Sequence, residues 1–300
     1  MTLGVSRAAV AVLAIGILAI SVSSILVRFA QAEGVPSLAI AFWRVALAAL
    51  LMLPSWWFHR RKSQSKEAVK SAGVELLAGG LLAGHFGFWI VSLEGLPVAV
   101  SAALLATSPV WVGLASAMFL GERSGIKTWI GASVTILSSI VLAAGHHDLR
   151  QTPVSSVGPW LALLSAAAFG GYLLCGRGLR HQVDFSDYFF KVTAIAALWL
   201  ALLAWVVGPQ MIGYTHAAWV CLLGLAVLPH LVGHGALNWV ARRLPAFPVA
   251  AVSLAEPVCA AALAWALLDE AVGGREFWCL AGILAGVALV LRAEARQGPG

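Results

Sequence analysis

The chain has 300 residues, of which 61% are hydrophobic and only 11% charged. Soluble domains carry about 25% charge, so the composition excludes a soluble globular protein and points to a chain immersed in lipid. A formal net charge of +6 would suit nucleic acid in a soluble protein, but in a membrane chain basic residues report topology first, and no nucleic-acid partner is expected.

A helix needs about 20 apolar residues to cross the hydrocarbon core. Hydropathy predicts ten such spans, over residues 8–30, 36–58, 73–95, 97–119, 127–146, 158–180, 187–208, 216–241, 245–268 and 275–293. The first resembles a secretory signal, with Arg7, an apolar run and small residues near Ser21 to Ser24. Nine apolar segments follow it, so a retained helix is expected. Span 2 carries Arg44, for which a structural role is expected, pairing with a carbonyl and snorkelling; the other reading is a substrate carboxylate. Span 2 ends in Trp56 and Trp57, which read as interfacial anchors. Span 3 places His85 near its middle, with Trp89 and Ser92 on the same side. Its small residues Gly80, Gly84 and Gly87 would let a neighbouring helix approach closely. In span 4, Ser108 and Trp111 lie beside Pro109. Lys191, near one end of span 7, reads as a snorkelling side chain. In span 8, His230, His234 and Asn238 recur at i, i+4 and i+8, along one helical face. In span 9, Glu256 precedes Pro257. Cys175, Cys221, Cys259 and Cys279 lie in apolar runs without ligand spacing, so neither disulfides nor a metal site nor a cofactor is expected.

The two halves repeat one another. Thr107-Ser108-Pro109, an apolar run, Gly121-Glu122 and Lys127 are matched 148 residues later by Ala255-Glu256-Pro257, an apolar run, Asp269-Glu270 and Arg275. Pro97 and Pro245 keep the same offset. The chain thus divides into a five-helix repeat over 1–146, a linker over 147–157 and a second repeat over 158–300. Five spans per repeat is an odd number, so the second copy enters from the opposite side and the repeat is inverted, a common plan for carriers. With the N-terminus inside, fourteen of the 19 basic residues collect at inner ends, Arg60, Arg61, Lys62, Lys66 and Lys70 among them. That bias places both termini in the cytoplasm. The fold class expected is therefore all-α, a polytopic membrane protein of ten transmembrane helices in two inverted five-helix repeats.

The run from Arg44 to Leu51, the segment Ser108-Pro109…Gly121-Glu122-Arg123…Gly131 and the weaker Glu256-Pro257…Asp269-Glu270…Gly286 resemble the EamA family of the drug/metabolite transporter superfamily. The second segment departs from that pattern at Asp269, where the family prefers Gly, and at Cys279, which stands at the position of Gly131. The resemblance implies a ten-helix bacterial inner-membrane exporter of amino acids or other metabolites, and within the family the chain is most similar to the YddG-type exporters of aromatic amino acids.

A polar side chain at mid-depth is costly unless it faces protein or a wet cavity. The residues above therefore outline a central cavity between spans 3, 4, 8 and 9. His85, Trp89, Ser108, Trp111, His230, His234, Asn238 and Glu256 are the expected substrate contacts. Their rings would stack an aromatic group and their polar atoms hold a zwitterion. Glu256 is also a candidate carrier of a coupling proton. The competing reading has these residues tying helices together, at about 0.6–2 kcal/mol each. Pro109 and Pro257 are the expected hinges. No GxxxxGK[ST] loop is present to bind a nucleotide. The function expected is thus a secondary transporter that exports a small amphipathic metabolite by alternating access, aromatic amino acids first. The alternatives are a multidrug or organic-cation exporter and, in another class, an intramembrane enzyme with a metal on His230, His234 and Glu256. Nothing in the sequence compels dimerisation, and a ten-helix chain can act alone.

Overall fold

The computed structural model describes residues 7–60, 68–96, 98–122, 124–144, 157–256, 258–259, 262–263 and 273–297. Within them the regular structure is entirely helical. The first half runs α1 (Arg7–Ser21), α2 (Ser23–Ala32), α3 (Ser37–Arg60), α4 (Ala68–Gly95), α5 (Val98–Leu105), α6 (Ser108–Phe119) and α7 (Ile126–Ala144). The second runs α8 (Gly158–Gly178), α9 (Phe185–Val207), α10 (His216–Leu225), a π-helical stretch (Ala226–His234), α11 (Gly235–Ala241), α12 (Ala246–Ser253) and α13 (Gly274–Gln297).

Local chemistry explains the interruptions. The Ser21 hydroxyl donates to the Ile17 carbonyl at 2.7 Å, a back-bond that bends helices, and the regular helix is interrupted at Val22 between α1 and α2. Gly34 then turns the chain at φ +80, while Val35 N–H donates to the Ala30 carbonyl at 3.0 Å, closing the helix end. Pro229 lies inside the π-helical stretch; without an N–H it cannot make the ordinary i→i−4 bond, which favours the widened turn.

The interruptions of α5 and α12 obey the repeat. α5 ends at Leu105 and α6 begins at Ser108, after a turn at Ala106 and Thr107. α12 ends at Ser253, and helix resumes at Glu256 after a turn at Leu254 and Ala255. Both turns are closed by equivalent hydrogen bonds. Val110 N–H donates to Thr107 O at 2.9 Å and Val258 N–H to Ala255 O at 3.1 Å. Pro109 removes the N–H that would have continued α5. Pro257, the other expected hinge, lies outside the described residues.

Packing is reciprocal between halves. α4 lies against α8 and α9; correspondingly the π-helical stretch lies against α1 and α3. α3 packs on α9, α6 on α12 and α7 on α13. Each half therefore completes the other's core. Gly131 and Gly286 bring α7 and α13 into backbone contact, since a Cβ on Gly131 would lie 2.8 Å from the Gly286 carbonyl oxygen.

Among the described residues, six of the ten expected spans are helices long and apolar enough to cross a membrane, among them Ala8–Ala32, Ser71–Gly95 and His216–Ala241. Ser108–Phe119, Ile126–Val141 and Phe277–Ala293 form shorter apolar helices. Span 4 is divided into two short helices by the break before Pro109, and part of span 9 lies outside the described residues. The outer surface is apolar: Trp205, Trp160 and Phe119 are 81%, 67% and 76% exposed. Water would not tolerate such a surface as a continuous belt, whereas lipid does.

Candidate functional site

The turns that end α5 and α12 border one chamber in the middle of the bundle, with Ala106 on one side and Leu254 on the other. Its empty volume is about 890 Å³ measured out to its open mouth. Arg44, His85, His234 and Glu256 supply the charged and titratable groups of the wall, Ser23, Ser24, Ser108 and Ser253 the hydroxyls, and Trp89 and Phe169 the large rings. The wall is drawn from both halves, and the expected helices contribute to it. Ile20, Ser23 and Ser24 near the α1–α2 break, Arg44 on α3 and Phe169 on α8 widen it beyond that expectation.

His85 on α4 is held by Ser165 on α8. Its Nδ1 lies 3.2 Å from the Ser165 carbonyl oxygen, and the Ser165 hydroxyl donates to the His85 carbonyl at 2.8 Å. The Ser165 hydroxyl oxygen also lies 2.9 Å from Nδ1, so both polar groups of Ser165 fix the ring's orientation. The His85 ring lies 5.6 Å from that of His234 and 5.0 Å from that of Phe169, joining α4, α8 and the π-helical stretch around one aromatic wall.

Five of the eight expected contacts, His85, Trp89, Ser108, His234 and Glu256, line the chamber. His230 does not. It is fully buried behind His234, its ring stacked at 5.6 Å on Phe189 and its Nε2 3.1 Å from Thr193 Oγ1. Asn238 is also fully buried, one turn beyond His234, packed so close to Gly176 that a Cβ there would meet its Nδ2 at 2.7 Å. The rings of His230 and His234 stack on one another at 5.9 Å, but only His234 reaches the chamber wall. Trp111 faces outward at 43% exposure, and its Nε1 points to Thr107 Oγ1 at 3.4 Å. Pro109 is buried at the start of α6, directly after the break.

Three charged and aromatic residues gain partners that the sequence does not show. Arg44 does not snorkel: it is fully buried, Nη1 donates to Ser23 Oγ at 2.8 Å, and the guanidinium lies 4.1 Å above the Phe86 ring. Lys191 is engaged rather than free, 2.5 Å from Asp187 and 3.4 Å from the buried Glu75. Trp56 Nε1 donates to Asp187 at 2.7 Å and its ring stacks on Phe190 at 4.3 Å.

Beyond Asn238 a second polar layer closes the bundle. Arg177 Nε donates to Glu122 at 2.8 Å and Nη1 to the Arg242 carbonyl at 3.3 Å. Arg242 in turn donates to the carbonyls of Arg180 and Val183. Partial burial there lowers the Arg242 pKa from the ordinary arginine value. Tyr172, Tyr188 and Asn238 are also fully buried nearby, with the side chains of Tyr172 and Asn238 against one another.

Apolar membrane-length helices, two interlocked halves and a mostly apolar chamber studded with a few polar groups define the class of a multi-pass membrane transporter. The sequence profile of the EamA-like transporter family matches twice, over residues 7–144 and 156–292, and the chain belongs to that family. A protein named riboflavin transporter from Brucella anthropi is 28% identical over 173 residues, 56% of this chain and 58% of that protein. A second riboflavin transporter, from Rhizobium johnstonii, is 28% identical over 147 residues, 48% of this chain and 45% of that protein. The matches thus span about half the length of these relatives. A solved structure described only as the crystal structure of a protein superposes with a TM-score of 0.78 at 18% identity, covering 97% of this chain and 100% of that one. It supports the fold alone. The family places the chain among transporters and not enzymes.

Proposed function

We propose that this protein is a secondary transporter that carries a small planar aromatic metabolite across a bacterial inner membrane. Its path runs through the chamber between two inverted five-helix halves whose termini both face the cytoplasm. The observation that carries this reading is the junction of the two helix breaks, 148 residues apart, at one chamber walled by aromatic rings and buried polar groups. Unwound turns at mid-membrane are tolerated only where they line a cavity or are buried in protein, and in inverted-repeat carriers they border the substrate. Alternating access would come from the halves rocking about those breaks.

The relatives' names favour a flavin as the planar substrate, and Trp89, Phe169 and the histidine rings suit a stacked heteroaromatic ring. A second reading, export of an aromatic amino acid, draws on Arg44 and Glu256 in the same wall, because a zwitterion needs a cation and a carboxylate together. An organic cation fits less well, since Glu256 faces the chamber together with an arginine. Counterflow in proteoliposomes tests the reading: labelled riboflavin and a full set of amino acids are offered to the purified protein. Saturable exchange of riboflavin or of tryptophan supports it, and exchange of neither overturns it.

A further inference from the structure

Deep in the wall, Arg44 is held by one side of its guanidinium only. Nη1 donates to the Ser23 hydroxyl at 2.8 Å, and the plane rests 4.1 Å above the Phe86 ring and 5.9 Å from the Trp89 ring. Nε and Nη2 have no partner, although the side chain is fully buried. These two nitrogens form the same-side fork of a guanidinium, whose parallel N–H bonds match two acceptor atoms lying side by side. Glu256 lines the same chamber yet leaves the fork unoccupied. Leaving two donors of a buried cation unpaired is costly unless something else satisfies them. The residue that holds Nη1 and the ring under the guanidinium orient the fork before any ligand arrives, which reduces the ordering cost of binding.

We infer that Arg44 is the specificity-determining residue of the chamber and grips its cargo by two adjacent acceptor atoms in the plane of, or attached to, an aromatic ring. This rests on the transporter reading above and names the chemistry the chamber selects. Two sources present it: the N1/O2 edge of a flavin and the carboxylate of an aromatic amino acid. For a zwitterion, Glu256 in the same chamber would take the ammonium. For a flavin, the Trp89 and Phe169 rings would carry the ring system while the fork sets its orientation. The fork favours cargo with an acceptor pair over amines of the same ring.

The test compares wild type, Arg44→Lys and Ser23→Ala in proteoliposomes with labelled riboflavin, tryptophan and tryptamine, the last lacking only the carboxylate of tryptophan. Arg44→Lys keeps the charge and removes the fork. It is expected to lose tenfold or more in counterflow at subsaturating riboflavin or tryptophan, the size of one lost charge-assisted hydrogen bond. Ser23→Ala frees Nη1 and is expected to raise KM severalfold with little change in the maximal rate. Arg44→Lys within twofold of wild type overturns the inference. If that variant does not fold, the comparison within wild type decides: tryptamine competing as well as tryptophan, and no competition by riboflavin, overturns it. If wild type moves neither riboflavin nor tryptophan, the transporter reading falls separately. The fork is then judged by thermal stabilisation of the detergent-purified protein. Stabilisation by indole-3-acetate and not by tryptamine supports it, and equal response to both overturns it.

Discussion

A residue in this chamber is recognised by what it would cost if the chamber were absent. His85 and Glu256 were legible in the sequence because polar atoms at mid-span need a wet or protein-lined surrounding. Arg44 was legible as an anomaly, but its role was not. A sequence gives depth along one helix and says nothing of the Ser23 hydroxyl and Phe86 ring that hold Arg44 away from the surface. Trp111 was misplaced for a related reason: on a helix apolar all round, nothing local tells the face toward lipid from the face toward a cavity. These placements separate three variants. Trp89→Ala and His85→Ala are each expected to slow substrate counterflow about tenfold, near 1.4 kcal/mol, without lowering protein yield. Trp111→Ala should remain within twofold of wild type. Unchanged transport in both of the first two variants would remove α4 from the site.

At the scale of elements, the breaks and the close crossings do most to position the chamber. The Pro109 break could be anticipated, since proline removes a helical donor. The π-helical stretch could not, because Pro229 permits several local outcomes and the neighbours choose among them. The expected glycine stripe Gly80, Gly84 and Gly87 is not where α4 is most tightly packed. Gly79 is, and a Cβ there would lie 2.6 Å from Ile195 Cβ on α9. Small residues mark a permissive face, whereas the crossing point depends on the partner helix. Gly131→Val tests the crossing of α7 and α13. Its side chain would press on the Gly286 carbonyl and on Val290 N, where a Cβ already comes within 2.9 Å. Overpacking of this kind costs about 1–3 kcal/mol, and a lower melting temperature in detergent is the expected outcome. An unchanged melting temperature would mean that the two helices separate freely.

For the whole molecule, the polar layer of Glu122, Arg177 and Arg242 ties together the ends of α6, α8 and α11. Glu122→Gln weakens a charge-assisted bond worth about 1.5–3 kcal/mol. In a background with Cys221, Cys259 and Cys279 replaced by serine, it should speed maleimide labelling of the half-buried Cys175 severalfold. Equal labelling would show that this layer does not hold the bundle closed. Topology is tested by single cysteines at Glu122 and Gly274, which should label from opposite faces of the membrane. Labelling from one face would end the inverted arrangement.

Hydropathy, the charge bias and the 148-residue offset are enough to establish a membrane chain in two related halves, because lipid imposes the same length and polarity on every span wherever it packs. They also anticipate the break in the first half, since Pro109 acts on its own helix. The make-up of the chamber is different in kind. Whether His230 hides behind His234, whether Arg44 turns inward, and which hydroxyls from α1 and α2 reach it depend on side chains from distant segments meeting in three dimensions. Those meetings follow from how the halves interlock, and no periodicity along one helix encodes them.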